Sequence, residues 1–209
     1  MAKSEINVMV VGGGIGGLFA ANALLSKGLR VSVYEQAPAL GEIGAGVYIT
    51  PNAVRQFERV GLGPAVEKWG ALVGPNSRYL RHDGTPIAPV QVSDLHGWNA
   101  VYGMHRADLV DFLAANLPAG IVNCGHRAVS FEQNAGKARV TFANGATIEA
   151  DVVVAADGAG SRMRTAILGP DLLYEDFRSA PVSPGRLGRP AQAFPHPLQY
   201  PGQGPDMYV

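Results

Sequence analysis

The eight residues VVGGGIGG, positions 10 to 17, limit what this chain can fold into more than any other stretch. They end a β-branched run, Asn7 to Val11, of the length expected for a strand buried on both faces. Gly12, Gly14 and Gly17 fall in G-x-G-x-x-G spacing, and the Ala/Leu-rich stretch from Leu18 to Ser26 predicts a helix stopped by Gly28. Arg30 to Tyr34 reads as a second strand that Glu35 closes. This order suits the binding of a pyrophosphate. Gly12 permits a tight turn, Gly14 lets backbone approach the phosphates, and Gly17 lets helix and strand pack closely. The helix N-terminus adds N–H groups and the positive end of a dipole. Glu35, about 20 residues on, can accept hydrogen bonds from a ribose diol, and its charge would repel a 2′-phosphate. The unit predicts a dinucleotide cofactor without separating NAD from FAD.

Composition removes several alternatives. Seventeen basic residues balance seventeen acidic ones, so no electrostatic argument favours nucleic acid or an anionic membrane. Residues 6 to 25 carry no charge, but five glycines in that run argue against a membrane span or signal peptide. Cys124 is the single cysteine, which rules out a disulfide within the chain and fits a reducing, cytoplasmic setting. No metal-ligand spacing is present, and 47% hydrophobic residues suffice for a core.

Three later stretches bear on the cofactor. In GEIGAGVYITPNAVRQF (41 to 57), Gly41, Gly44 and Gly46 suggest backbone laid over a flat ligand, against the alternative of a plain surface loop. Thr50 is placed to cap a helix with Pro51 at its first position, and Gly61 to end it. MHRADLVDFLAANL (104 to 117) predicts an amphipathic helix burying Leu109, Val110, Leu113 and Leu117. Arg106 at its start either reaches into a site or is a solvated charge. From Lys137 onward an alternating strand meets the Asn144-Gly145 hairpin signal and returns over 146 to 150. A buried strand is expected from Asp151 to Ala156. Asp157-Gly158 ends that strand, and Ser161 is placed to cap a helix carrying Arg162 and Arg164. Asp157 is either a crevice residue like Glu35 or part of an ordinary Asp-Gly turn ahead of a helix cap.

Taken together, VVGGGIGG, VYEQ, GEIGAGVYITPNA, HRADL and VVVAADGAGSRMR resemble the group A FAD-dependent aromatic monooxygenases of the salicylate and hydroxybenzoate hydroxylase kind. The resemblance runs from residue 6 to about 175 and selects FAD. It implies an α/β fold: a Rossmann-like, glutathione-reductase-type FAD-binding domain with part of a β-rich substrate domain. The domains expected are 1–175 for FAD binding, with 77–103 as inserted substrate-domain strands, and 176–209 as a Pro-rich, incomplete tail. For the site, it implies that Gly12, Gly14, Ile15, Gly16 and Gly17 hold the pyrophosphate and that Glu35 and Gln36 lie at the ribose. Ala45 and Gly46 lie on the flavin side, Arg106 touches FAD, and backbone at Val129 meets adenine. Asp157 and Gly158 serve FAD and NAD(P)H. Tyr48 is a candidate substrate contact, although a packing role suits a tyrosine better; Trp98 and Tyr102 are either cavity walls or core. The catalytic residues are not identified. The implied reaction is reduction by NAD(P)H, capture of O₂ as a flavin C4a-hydroperoxide, and hydroxylation of a small phenolic or aromatic acid.

Such relatives carry a further Gly-Asp motif and a long C-terminal helix. Residues 170 to 209 hold eight of the fifteen prolines and neither feature. The expectation is therefore an N-terminal part with weak intrinsic activity. The alternatives are a catalytically incompetent FAD-binding module and an NAD-dependent dehydrogenase. The last is disfavoured because nothing catalytic follows the first βαβ unit.

Overall fold

In a computed structural model, residues 6–41, 46–74, 76–90, 100–134 and 136–169 are described. Strand β1 (Asn7–Val11) runs through Gly12 into helix α1 (Ile15–Ser26), and β2 (Arg30–Tyr34) returns beside β1. The chain then forms β3 (Gly46–Ile49), α2 (Pro51–Arg59), α3 (Gly63–Trp69), β4 (Ala71–Leu72) and the pair β5 (Arg78–Leu80) and β6 (Pro86–Pro89). Next come β7 (Tyr102–His105), α4 (Arg106–Ala115), β8 (Val122–Asn123), β9 (Ala128–Asn134) and β10 (Lys137–Phe142). The last described elements are β11 (Thr147–Ala150), β12 (Val152–Ala155) and α5 (Arg162–Leu168).

Alternation along β1 divides the core. Val8 and Val10 face the side of α1, α2, α3 and α4, packing with Leu18, Val33, Phe57, Leu109 and Leu113. Met9 and Val11 face the opposite side, against Val140, Phe142, Ala150 and Met163. Helices therefore cover one face of the parallel sheet β12-β1-β2-β8, and the antiparallel sheet β11-β10-β9 covers the other. A second three-stranded sheet, β3-β7-β4, is antiparallel throughout. Phe57 of α2 links the helical layer, its ring 4.9 Å from Phe19 of α1 and 6.0 Å from Phe112 of α4.

Several expectations are corrected in detail. Helix α1 starts at Ile15 rather than Leu18, so that Gly16 and Gly17 lie in its first turn, Gly17 packed closely on the Gly12 backbone. The helix expected over 104–117 spans Arg106–Ala115, since Met104 and His105 are still paired with β3. The strand before Asp157 is not buried: β12 is an edge of its sheet, and Val152 is 45% exposed. A valine run reports β-propensity, whereas burial depends on which strand lies alongside. Thr50 does precede α2, with Pro51 in its first turn and Gly61 at φ +80° beyond it, but its hydroxyl donates to Asn52 Oδ1 rather than capping backbone. Tyr102 is half-buried against the helical core, in agreement with a packing role. Ala45, Trp98 and the stretch 176–209 lie outside the described residues.

Candidate functional site

The glycine turn is built by three different constraints. Gly12 has φ +115°, and a Cβ there would stand 2.2 Å from the Ala156 carbonyl oxygen. A Cβ on Gly17 would stand 1.9 Å from the Gly12 carbonyl oxygen. Both positions need glycine in order for the chain to fold. Gly14 differs: its backbone is extended, with φ −75°, and a Cβ would meet nothing within 4 Å. The same openness holds at Gly16. Glycine here clears space that the protein itself leaves open.

That space lies at the N-terminus of α1. Leu18 donates the first intrahelical bond, to Gly14 O at 2.9 Å, so the N–H groups of Ile15, Gly16 and Gly17 precede the ladder. No side chain caps them. Ile15 packs its side chain on the core and offers only backbone to the site. Orphan donors, a helix dipole and cleared space together form an anion cradle.

Glu35 closes the cradle from the end of β2. Its Oε2 accepts from Gly13 N at 2.5 Å and its Oε1 from Ala37 N at 2.8 Å. Each carboxylate oxygen has a second lone pair for a hydroxyl donor. Sequence reasoning missed Gly13, whose Cβ would press on Glu35 Cβ and Leu40 Cδ2, each at 2.9 Å. The signal was the triple glycine, in which only the first and third members were assigned. Gln36 is exposed beside Glu35.

Asp157 also lies at the carboxyl end of a parallel strand, following β12, but its side chain turns to α5. It accepts from the Ser161 hydroxyl at 2.5 Å and from the N–H groups of Arg162 and Met163 at 2.8 and 3.2 Å. Ser161 caps the same helix by accepting from Arg164 N at 2.9 Å. Asp157 and Ser161 thus secure one helix start, and Gly158 turns the chain there at φ +83°.

Two further groups are placed by sheet register. Gly46 pairs with His105, the residue before Arg106, so Gly46 and Arg106 share one end of the β3-β7 pair. Tyr48 pairs with Gly103 and is 73% exposed, which corrects the packing role expected for it. Between β9 and β10 the register steps from Thr141–Ser130 to Phe142–Ala128. Val129 is therefore the extra residue of a β-bulge, where ladder pairing is interrupted.

Residues 5–173 match the family model described as FAD binding domain. The chain belongs to this family. Its FAD binding domain is 36% identical over 170 residues to 6-hydroxynicotinate 3-monooxygenase of Pseudomonas fluorescens, covering 79% of this chain and 44% of that protein. It is 37% identical over 180 residues to a salicylate hydroxylase of Pseudomonas putida, covering 79% and 39%. Klebsiella pneumoniae HpxO, solved with FAD and uric acid, superposes with a TM-score of 0.66 at 28% identity, over 78% of this chain and 42% of that one. The chain thus spans less than half the length of these relatives. The residues fit FAD: open space at Gly14 and Gly16 lies before an uncapped helix N-terminus, and the Glu35 carboxylate stands at the end of the second strand. No described helix is long and apolar enough to cross a membrane.

Proposed function

We propose that this domain holds FAD for an NAD(P)H-dependent hydroxylase acting on a small phenolic or heteroaromatic acid. The observation that carries the reading is the contrast between Gly12 and Gly14. One is glycine for the fold, the other for space above an uncapped helix N-terminus. The names of the relatives support the substrate class.

In this reading the N–H groups of Ile15, Gly16 and Gly17 bind the pyrophosphate, and Glu35, with Gln36 beside it, receives the adenosine ribose. Backbone at Val129 meets adenine. Gly46 lies near the flavin side, and Arg106, which shares its end of the β3-β7 pair, contacts FAD at the pyrophosphate or ribityl chain. Asp157 fixes α5 and the Gly158 turn beside the cofactor. FAD, reduced by NAD(P)H, supplies the activation of O₂; the protein binds, orients and excludes water. Tyr48 is a candidate contact for the aromatic substrate. The division into a FAD-binding domain, 1–175, with 77–103 contributing to a substrate domain, belongs to the same reading, as does a cytoplasmic setting.

Equilibrium dialysis of the purified chain against FAD, NAD and NADP tests the cofactor assignment. FAD should bind tightest; tighter NAD would overturn it. Flavin binding with no turnover by the chain would favour a non-catalytic module.

A further inference from the structure

His126 is assigned no role by the glycine motif, yet it occupies the junction of the two proposed adenosine contacts. Its backbone N–H donates to Glu35 O at 2.7 Å, and Gly125 N donates to Ala37 O at 2.8 Å. The 124–127 segment is thereby tied to the residues that orient the Glu35 carboxylate. On its other side, Ala143 N donates to Arg127 O at 2.8 Å and Asn144 Nδ2 to Gly125 O at 3.2 Å. The segment leads directly into the Val129 bulge.

The His126 ring fixes this segment in two ways. It sits edge-on to Tyr34 and Phe142, with ring centroids 5.2 Å away in each case. Its Nδ1 lies 2.8 Å from the Cys124 carbonyl oxygen. A carbonyl oxygen only accepts, so Nδ1 carries the proton whether the ring is neutral or charged. The bond spans two residues and closes the turn that carries the chain from the parallel sheet to the antiparallel one.

We propose that His126 is a positioning residue for the adenosine half of the cofactor, acting through its Nδ1–H···O=C bond to Cys124. It holds the strip between Glu35 and Val129 at the spacing that adenosine needs. The proposal rests on the reading of Glu35 and Val129 given above.

FAD and FMN are the probes, since FMN lacks the adenosine half. His126→Phe keeps a ring and loses the donor; His126→Asn loses the ring and places an amide donor near the Nδ1 position. With FAD, His126→Phe and His126→Ala should raise Kd by about tenfold, the scale of one hydrogen bond, and His126→Asn should restore most of it. FMN affinity should not change in any variant, and far-UV circular dichroism should report a native fold. An unchanged FAD Kd in His126→Phe would overturn the proposal. So would parallel losses of FAD and FMN affinity, which mark general loosening. If the unsubstituted chain bound FMN as tightly as FAD, the adenosine reading itself would fall, and the proposal with it.

Discussion

At the scale of single residues, glycines two positions apart in sequence answer to different demands. Gly12→Ala meets both an unfavourable φ and the Ala156 carbonyl. It should lower stability by more than about 1 kcal/mol, read as a fall in Tm without ligand. At Gly14 an added Cβ meets no protein atom within 4 Å and the backbone is extended, so for Gly14→Val Tm without ligand should change little and FAD binding should be lost. Equal thermal losses in both variants would contradict the division. Glu35→Gln should weaken FAD by about 1–3 kcal/mol, measured as Kd, through loss of charge-assisted hydrogen bonds. It should also lower Tm without ligand, because Gln keeps one accepting oxygen where the two Glu35 oxygens accept from Gly13 N and Ala37 N, and its amide nitrogen only donates. Gly12, Gly14, Gly17 and Glu35 were legible because spacing alone constrains them. His126 and Gly13 were not, since their roles depend on contacts with residues distant in the chain.

Among the elements, α1 and α4 are joined by a buried polar link. Asn22 Nδ2 donates to Leu18 O at 2.8 Å and to Leu113 O at 3.0 Å, and its Oδ1 accepts from Asn116 Nδ2 at 2.7 Å. Asn22→Ala strands the carbonyl of buried Leu113 and should cost about 1–3 kcal/mol in denaturant unfolding. Because α4 begins with Arg106, FAD affinity should decline as well. Asp151 joins β1, β10 and the β11–β12 corner, accepting from Asn7 N at 2.8 Å and Lys137 Nζ at 2.6 Å. These bonds hold its carboxyl below the ordinary aspartate range, the Asn7 N–H contributing most. A carboxylate with a lowered folded-state pKa stabilises above the unfolded value and loses that contribution as pH falls through the folded value. Asp151→Asn should therefore lower Tm near neutrality and match the unsubstituted chain in strong acid, in thermal melts across pH. The elements most legible in sequence, β1, β2 and β10, have periodicity and turn residues in agreement. The residues of β12 mark a strand but not an edge, since none of them records its neighbours. Asp157 kept two readings open for a similar reason: the same Asp-Gly-x-x-Ser spacing serves a crevice or a helix start.

For the whole molecule, water exclusion decides what chemistry is supported. Tyr48 of β3, Trp69 at the end of α3 and Leu72 of β4 are all exposed. Oxygen chemistry at a reduced flavin needs a site closed to solvent. Reconstituted with FAD, this polypeptide should pass the two electrons of NAD(P)H to O₂ as hydrogen peroxide rather than form hydroxylated product. Product formed per NAD(P)H across simple phenolic acids measures it, and tight coupling with any of them would contradict it.

The contact between Gly12 and Ala156 also sets an order of events during synthesis. β1 pairs with β12 in register Val8–Val152 through Val11–Ala155, and Asn7 meets Asp151 across 144 residues of chain. The glycine turn leaves the ribosome well before Ala156, which forms one of its walls. Non-local pairing of this kind is slow to form, because loop closure must precede the contacts that stabilise it. A nascent chain halted before Val152 has the whole fingerprint and only part of the cradle. FAD binding should therefore follow the pairing of β12 with β1, and any FAD bound should in turn stabilise the paired state.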